Sequence, residues 1–302
     1  MSARTARRRI LRVALPGPAR PDGPAGGTVA VGAKPELSPG PDLLATEEPL
    51  EIRVNGRAVA VTMRTPGDDI DLAAGLLATE GLVGSAADIA GIRICHQPGG
   101  QPPAPAGNTA AGPGNVAEVT LAGGVAIDDD AMRRNFLTTS ACGVCGKASI
   151  DAVRVRARFD VAADDTPVSP TVLAELPGAL HDAQRVFAST GGLHAAGVFT
   201  ADGTLLALRE DVGRHNAVDK VAGWALREGR LPLAGCVLLV SGRASFELVQ
   251  KAFLAGIPVL AAVSAPSSLA AEFAEEVGLT LVGFLRGRTM NVYTGAARLT
   301  GA

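Results

Sequence analysis

Apolar and polar positions change rhythm several times along this chain of 302 residues. Residues 1–45 are rich in Pro, Gly and Ala without a sustained period, and read as a flexible tail outside the fold. From Glu51 the stretch EIRVNGRAVAVTMR places short β-branched runs on either side of Asn55-Gly56, the dipeptide best suited to a type I′ hairpin. Pro66-Gly67 closes the second strand. Asp68 or Asp69 is placed to cap a helix running through Glu80, whose Ile70, Ala73, Ala74 and Leu77 share one face and should pack on the hairpin. Segment 98–115, PGGQPPAPAGNTAAGPGN, is a loop insertion, because proline removes donors and glycine adds backbone entropy. Val116 to Leu121 predicts a strand.

Beyond Pro167 the pattern alternates. It predicts a helix at 171–183, strands near 185–189 and across 194–208 with a turn at Asp202-Gly203, and a helix at 215–228. A strand at 236–241, helix at 244–255, strand at 258–263, helix at 267–277 and strand at 279–284 follow. The strands at 236–241 and 258–263 are almost wholly apolar and separated by a helix, as parallel strands covered on both faces should be. The expectation is therefore an α/β protein: a tail at 1–45, a smaller N-terminal α+β part at 46–140, and a layered α/β domain at 141–302. That last domain is led by a Gly-rich turn, Cys142-Gly143-Val144-Cys145, just before a predicted helix at Lys147 or Ala148.

Composition narrows the class of protein. With 47% hydrophobic residues and 19% charged, a chain of this length buries a substantial core. A formal net charge of −2 argues against non-specific nucleic-acid binding. No apolar run approaches the ~20 residues that span a bilayer. Arg7, Arg8 and Arg9 precede a short apolar stretch, but Arg12 and Pro16 interrupt it before it can serve as an export signal. Four cysteines in so long a chain are no disulfide scaffold, and a cytoplasmic, reducing location fits them.

Cys142 and Cys145 are the strongest chemical feature, because two thiols three apart on a turn can share a metal, form a disulfide or pass sulfur. Structural zinc needs four ligands, and the other cysteines, Cys95 and Cys236, are solitary. A thioredoxin-type pair follows a strand near the chain start and usually encloses a proline, whereas Gly and Val stand here. A sulfur carrier needs one accessible thiolate. A helix N-terminus at about Lys147, with Arg133, Arg134 and Lys147 near in sequence, favours that anion. Glycines flank both cysteines, which speaks against two incidental buried thiols. Elsewhere, Asp211 to Asn216 and Ser241-Gly242-Arg243-Ala244-Ser245 each lead into a helix, where backbone N–H groups with Arg214, Arg243 and Ser245 can hold a phosphate. Taken singly, His194 and His215 are as well explained as structural histidines.

The blocks NFLTTSACGVCGKASI, FASTGGLHAAGVF, EDVGRHNAVDKVAG, SGRASFELVQKA and LTLVGFLRGRTMNVYT, in that order, resemble the FdhD family, the sulfurtransferase accessory proteins of formate dehydrogenase. The resemblance spans about residues 50–299. It implies a cytidine-deaminase-like layered domain and a homodimer. It also implies a sulfurtransferase that takes persulfide sulfur from a cysteine desulfurase and delivers it to the molybdenum bis(molybdopterin guanine dinucleotide) cofactor. That cofactor is bound transiently as substrate, before insertion into formate dehydrogenase. Cys142 would carry the persulfide, with Cys145 assisting. The family's cofactor-binding segment corresponds to Phe284, Leu285, Arg286, Gly287, Arg288 and Thr289, in which Arg286 and Arg288 surround Gly287 in a slightly rearranged version of the usual order. Two arginines there suit pyrophosphate oxygens. No resident metal is expected: a zinc deaminase needs His-x-Glu or Cys-x-Glu, and no His or Cys of this chain has Glu two residues later. Two alternatives stay open, a non-catalytic chaperone for the cofactor and a thiol redox protein.

Overall fold

The computed structural model describes residues 4–14, 36–95, 114–123, 125 and 157–300. Cys142, Cys145, the basic residues around them and nearly all of the Pro-rich insertion lie outside the described residues.

The N-terminal region is a correction to the sequence reading. Strand β1 (Thr5–Ala14) pairs with β2 (Glu36–Ala45) in an antiparallel ladder running from Thr5↔Ala45 to Ala14↔Glu36. Pro39 and Pro41 hide this strand in the sequence. Both have the same parity, so in a two-stranded ribbon their missing donors fall on the free side. Arg4 anchors the base of the ribbon through a 2.6 Å ion pair with Asp68.

The expected hairpin follows as β3 (Glu48–Val54) and β4 (Arg57–Arg64), turning through Asn55 at φ 49° and Gly56 at φ 81° as a type I′ turn requires. With β5 (Ile89–Cys95) and β6 (Val116–Leu121) it forms a four-stranded sheet of order β4-β3-β6-β5. Helix α1 (Asp69–Thr79) covers that sheet, joining Leu72 and Leu77 to Leu50, Ile52, Val54 and Val119 in one apolar cluster. Asp68 precedes it in a left-handed conformation and makes no side-chain cap, its carboxylate being committed to Arg4 instead.

The larger sheet has six strands: β7 (His194–Thr200), β8 (Leu205–Asp211), β9 (Cys236–Val240), β10 (Val259–Ala262), β11 (Thr280–Arg286) and β12 (Thr289–Thr294). Their order is β12-β11-β10-β9-β7-β8, with β9, β10 and β11 parallel and the flanking pairs antiparallel. The period-2 alternation of buried strands divides the core. Leu238, Val240, Leu260 and Leu281 meet α4 (Arg214–Arg227), α5 (Phe246–Leu254) and α6 (Ser268–Glu276) on one face. Val237, Leu239, Val259 and Val282 meet α2 (Pro170–Ala183) on the other. Both faces are covered, the layered α/β arrangement anticipated above. Ser169 and Ser267 start α2 and α6 by accepting from Thr171 N and Ala270 N, each at 3.2 Å.

One expected strand is a helix. Residues 185–190, RVFAST, read as β from their side chains, yet form α3 (Arg185–Thr190). The reason is tertiary: the Glu210 carboxylate on β8 accepts from Val186 N at 3.0 Å and Phe187 N at 2.7 Å, satisfying donors that a helix start leaves open.

Helices α1 and α4 join the two sheets. They cross at Gly75 and Gly223, where a Cβ on Gly75 would lie 2.7 Å from Gly223 N and 2.6 Å from the Asp219 carbonyl carbon. Beside the crossing, buried Lys251 Nζ donates to Asp219 Oδ1 and Oδ2 at 2.9 and 3.1 Å and to Thr79 Oγ1 at 3.1 Å. Burial works against its ammonium, but Asp219, Glu80 and Glu247 more than offset that and hold its pKa above the usual lysine value. At the other end Asp71 accepts from Arg209 and Arg227.

Candidate functional site

The carboxyl ends of β9, β10 and β11 form one continuous edge, the place where open α/β sheets bind ligands. Backbone bonds stitch it together: Ser264 N donates to Gly242 O, Ser267 N to Ala244 O, and Phe284 N to Ser264 O. Because β7 runs antiparallel to β9, its first residue reaches the same edge. Ala195 N donates to Ser241 Oγ at 2.9 Å, and Gly242 lies beside His194 and Arg214. His194 pairs with Asp211 across the β7–β8 ladder, bringing the start of α4 alongside.

Asp211 turns the chain into α4. Fully buried, it is bonded to Lys220 Nζ at 2.7 Å and accepts from Thr65 N, Gly213 N and the Asn216 amide. All its acceptor capacity is spent on the fold, so Asp211 is structural. Arg214 follows on the first turn of α4, and its Nε is buried with no hydrogen-bond partner among the described residues. Such an atom costs stability unless a ligand acceptor satisfies it. His215 comes next. Its Nε2 lies 3.2 Å from Ser245 Oγ and 3.5 Å from Glu247 Oε2 on the first turn of α5, so the N-termini of α4 and α5 sit side by side. Burial, with the positive charges of Arg214 and Lys251, pushes the His215 pKa down to about 4. Burial and Arg214 likewise lower that of His194. Both imidazoles are neutral at pH 7.

The edge therefore brings together Arg243, exposed, Ser245 at the N-cap of α5, and the turn from β11 into β12. Phe284 and Arg286 at the end of β11, Gly287 and Arg288 in the turn, and Thr289 at the start of β12 are exposed. Leu285 is the exception: it is fully buried among Val282, Leu239 and Leu176, so its side chain packs in the core and offers a ligand nothing. Strand alternation turns it inward between two outward neighbours. Phe284 has φ 51°, and Arg286 lies 5.8 Å from its ring centroid while donating from Nε to Val263 O at 2.8 Å. The remaining guanidinium nitrogens of Arg286, with Arg288 and Arg243, face solvent as anion donors. Sequence reasoning found these positions but missed Glu247 and the buried Arg214 Nε, whose significance rests on contacts between separate helices.

Neither described cysteine belongs to this edge. Cys236 begins β9, at its opposite end, and burial pushes its thiol pKa up. Cys95 ends β5 in the four-stranded sheet. Among the described residues no group of three or more His, Cys, Asp or Glu side chains is arranged to hold a metal ion. No helix among them is long and apolar enough to cross a membrane.

Comparison with known proteins gives this geometry a family. The FdhD/NarQ family model matches residues 45–300. A protein of Mycolicibacterium paratuberculosis named sulfur carrier protein FdhD is 60% identical over 259 residues, covering 86% of this chain and 92% of that one. Its namesake in Streptomyces coelicolor is 59% identical over 268 residues, covering 87% and 91%. In fold, the chain resembles a formate dehydrogenase accessory protein of known structure from Desulfotalea psychrophila, with a TM-score of 0.69 at 22% identity, over 98% of this chain and all of that one. On the family match and on identities of this size, the chain belongs to the FdhD/NarQ family.

Proposed function

We propose that this protein is a sulfur carrier acting as a sulfurtransferase, with Cys142 holding the sulfur as a persulfide and the carboxyl edge of the large sheet holding the guanine-nucleotide end of a molybdenum cofactor. The carrying observation is the edge itself. Two adjacent helix N-termini, a buried Arg214 Nε that has no partner among the described residues, and the exposed Arg243, Arg286 and Arg288 lie where an α/β sheet binds phosphorylated ligands. The Cys142 thiolate attacks the outer sulfur of a donor persulfide, the donor's S–S bond breaks, and the donor cysteine leaves as thiolate. The S–S bond of the Cys142 persulfide then breaks as its outer sulfur moves to the cofactor on the edge, Cys142 leaving as thiolate, with the two electrons that bring the sulfur to the sulfide level supplied by the reduced cofactor or an added thiol reductant. Cys236, buried with a raised pKa, is a poor nucleophile and leaves this role to the Cys142 pair. The donor is a cysteine desulfurase, the client a formate dehydrogenase, and the setting the cytoplasm, with the carrier as a homodimer. Relatives named sulfur carrier protein FdhD support the sulfur half of this reading.

The test is mass spectrometry of the chain after incubation with a cysteine desulfurase and cysteine. A reductant-labile gain of one sulfur on the peptide holding Cys142 is expected. An adduct confined to Cys95 or Cys236 refutes the assignment. A chaperone that moves no sulfur would keep its activity in Cys142→Ser.

A further inference from the structure

The ribbon of β1 and β2 belongs to neither of the two larger sheets. Its length is roughly 30 Å, at about 3.3 Å per residue pair, and among the described residues its main anchors are at the base. There Thr46 N donates to Arg4 O at 2.9 Å, Arg4 pairs with Asp68, and Ala45 lies beside Gly192, two residues before His194 on the edge of the candidate site. Farther out, Leu11, Val13 and Leu37 are 57, 57 and 56% exposed. A two-stranded ribbon is marginal in water without a third strand or a covering layer.

The register shows which edge of the ribbon is open. Antiparallel pairs alternate between bonded and non-bonded. Thr46 bonds Arg4, whereas Pro39 and Pro41 have no N–H to give to Leu11 and Arg9. The even-numbered residues of β1 therefore bond β2, and Arg7, Arg9, Leu11 and Val13 turn their N–H and C=O groups outward. On β2 the outward residues are Leu37, Pro39, Pro41 and Leu43, so two of its four outward donors are missing. Proline on an edge guards against further pairing. Here one edge is guarded and the other is whole, and among the described residues no strand pairs with β1 on that side.

That whole edge is basic. Arg7, Arg8, Arg9 and Arg12 are exposed along β1; Arg12 lies 3.8 Å from Asp42, and the other three have no ion pair among the described residues. Five arginines against Glu36 and Asp42 give residues 4–14 and 36–45 a charge of +3, in a chain whose total is −2. Antiparallel pairing of two β1 strands, centred anywhere from Arg7 to Ile10, sets one arginine directly against another, which is destabilising. A second copy is a poor third strand, and an acidic one is a good match.

We propose that β1 docks an extended acidic segment of a partner protein as a third strand of the ribbon, next to the candidate site. The segment places carboxylates opposite Arg7 and Arg9 and apolar residues opposite Leu11 and Val13 on one face, with carboxylates opposite Arg8 and Arg12 on the other. Backbone bonds hold such a strand and its side chains select it. Nucleic acid or an anionic membrane would answer the charge, but neither uses an open ladder of N–H and C=O groups.

The experiment is fluorescence anisotropy of the full chain with labelled peptides. VEVTEEE and its reverse, EEETVEV, present these residues antiparallel and parallel to β1, and VKVTKKK is the control. Wild type should bind at least one glutamate peptide about 10-fold or more tighter than the lysine peptide. Arg7→Glu plus Arg9→Glu should weaken that binding by a similar factor and favour the lysine peptide instead. Leu11→Pro removes an outward N–H but no bond within the ribbon. It should keep the circular dichroism of wild type yet lower affinity about 10-fold, well beyond Leu11→Ala, which keeps the N–H. If Leu11→Pro does not fold, Val13→Pro against Val13→Ala makes the same test nearer the end of the ribbon. No binding of either glutamate peptide, equally tight binding of the lysine peptide, or proline variants that match the alanine ones overturns the proposal. So does a wild-type dimer in sedimentation that Leu11→Pro dissociates, which assigns the edge to a second copy. Binding of phosphatidylglycerol vesicles or single-stranded DNA in place of the peptides overturns it as well.

Discussion

Replacing Gly223 with alanine sets two opposing effects against each other. Inside a helix, Gly→Ala gains roughly 1 kcal/mol of intrinsic propensity. At this position the added methyl would lie 2.7 Å from both the Asp71 carbonyl carbon and Gly75 N, where non-bonded carbon contacts need about 3.5–4.0 Å. Backbone on both sides leaves no flexible side chain to give way, so α1 and α4 must separate by roughly 1 Å. Overpacking of this kind costs ~1–3 kcal/mol. The separation also stretches the bonds of Lys251 and Thr79 to Asp219, in a setting where losing a partner outright costs ~3–5 kcal/mol. Packing therefore wins, with a net loss of about 3 kcal/mol, or roughly 6–12 °C in melting temperature. Urea denaturation and calorimetry measure it. Gly75→Ala should behave alike, and the double variant should cost less than the sum, since the first methyl already opens the crossing. An unchanged or raised stability in Gly223→Ala would refute the close-crossing argument.

Other outcomes are equally direct. Cys142→Ser should abolish activation of a co-expressed formate dehydrogenase while Cys145→Ser retains part of it. Equal and total loss in both, with zinc bound to wild type, would instead indicate a metal pair. Arg286→Ala plus Arg288→Ala should weaken GDP binding by about 10- to 100-fold in calorimetry, and unchanged affinity rules out the edge as the phosphate site. His215 takes a proton near pH 6.5 in the unfolded chain but only at about 4 in the fold, so the unfolded state binds more protons between these values. Its contribution is complete above pH 6.5 and is lost as pH falls toward 4, on the order of 2–3 kcal/mol. Denaturant titrations at pH 7 and 4.5 should show His215→Gln with a shallower loss than wild type, and parallel losses would contradict this.

Where local chemistry decides, the sequence was readable. Asn55-Gly56 announces its turn, the helix expected at 171–183 is α2, and the apolar runs at β9 and β10 follow from burial on both faces. Where distant residues decide, it was not. The strand-like RVFAST is helical because Glu210 caps it from β8, and β2 is hidden by prolines that harm only a strand with two occupied sides. Gly75 and Gly223 read as weak points in two helices until their juxtaposition shows them to be the contact. The edge was legible in part: the arginines and helix starts stand out in sequence, whereas the inward Leu285, the orphaned Arg214 Nε and the pairing of His215 with Glu247 depend on which elements become neighbours.

The crossing of α1 on α4 also bears on how the protein is made. The four-stranded sheet and its helix leave the ribosome first, and the face carrying Gly75, Thr79 and Asp71 then has no counterpart until residues 209–251 have been synthesised. Asp71 must wait for Arg209 and Arg227, and Thr79 for Asp219 and Lys251. The halves that look separable on a sequence map therefore mature together. A fragment cut between the two sheets would carry bare glycine grooves and unpaired charges, making it a substrate for chaperones rather than an independent unit.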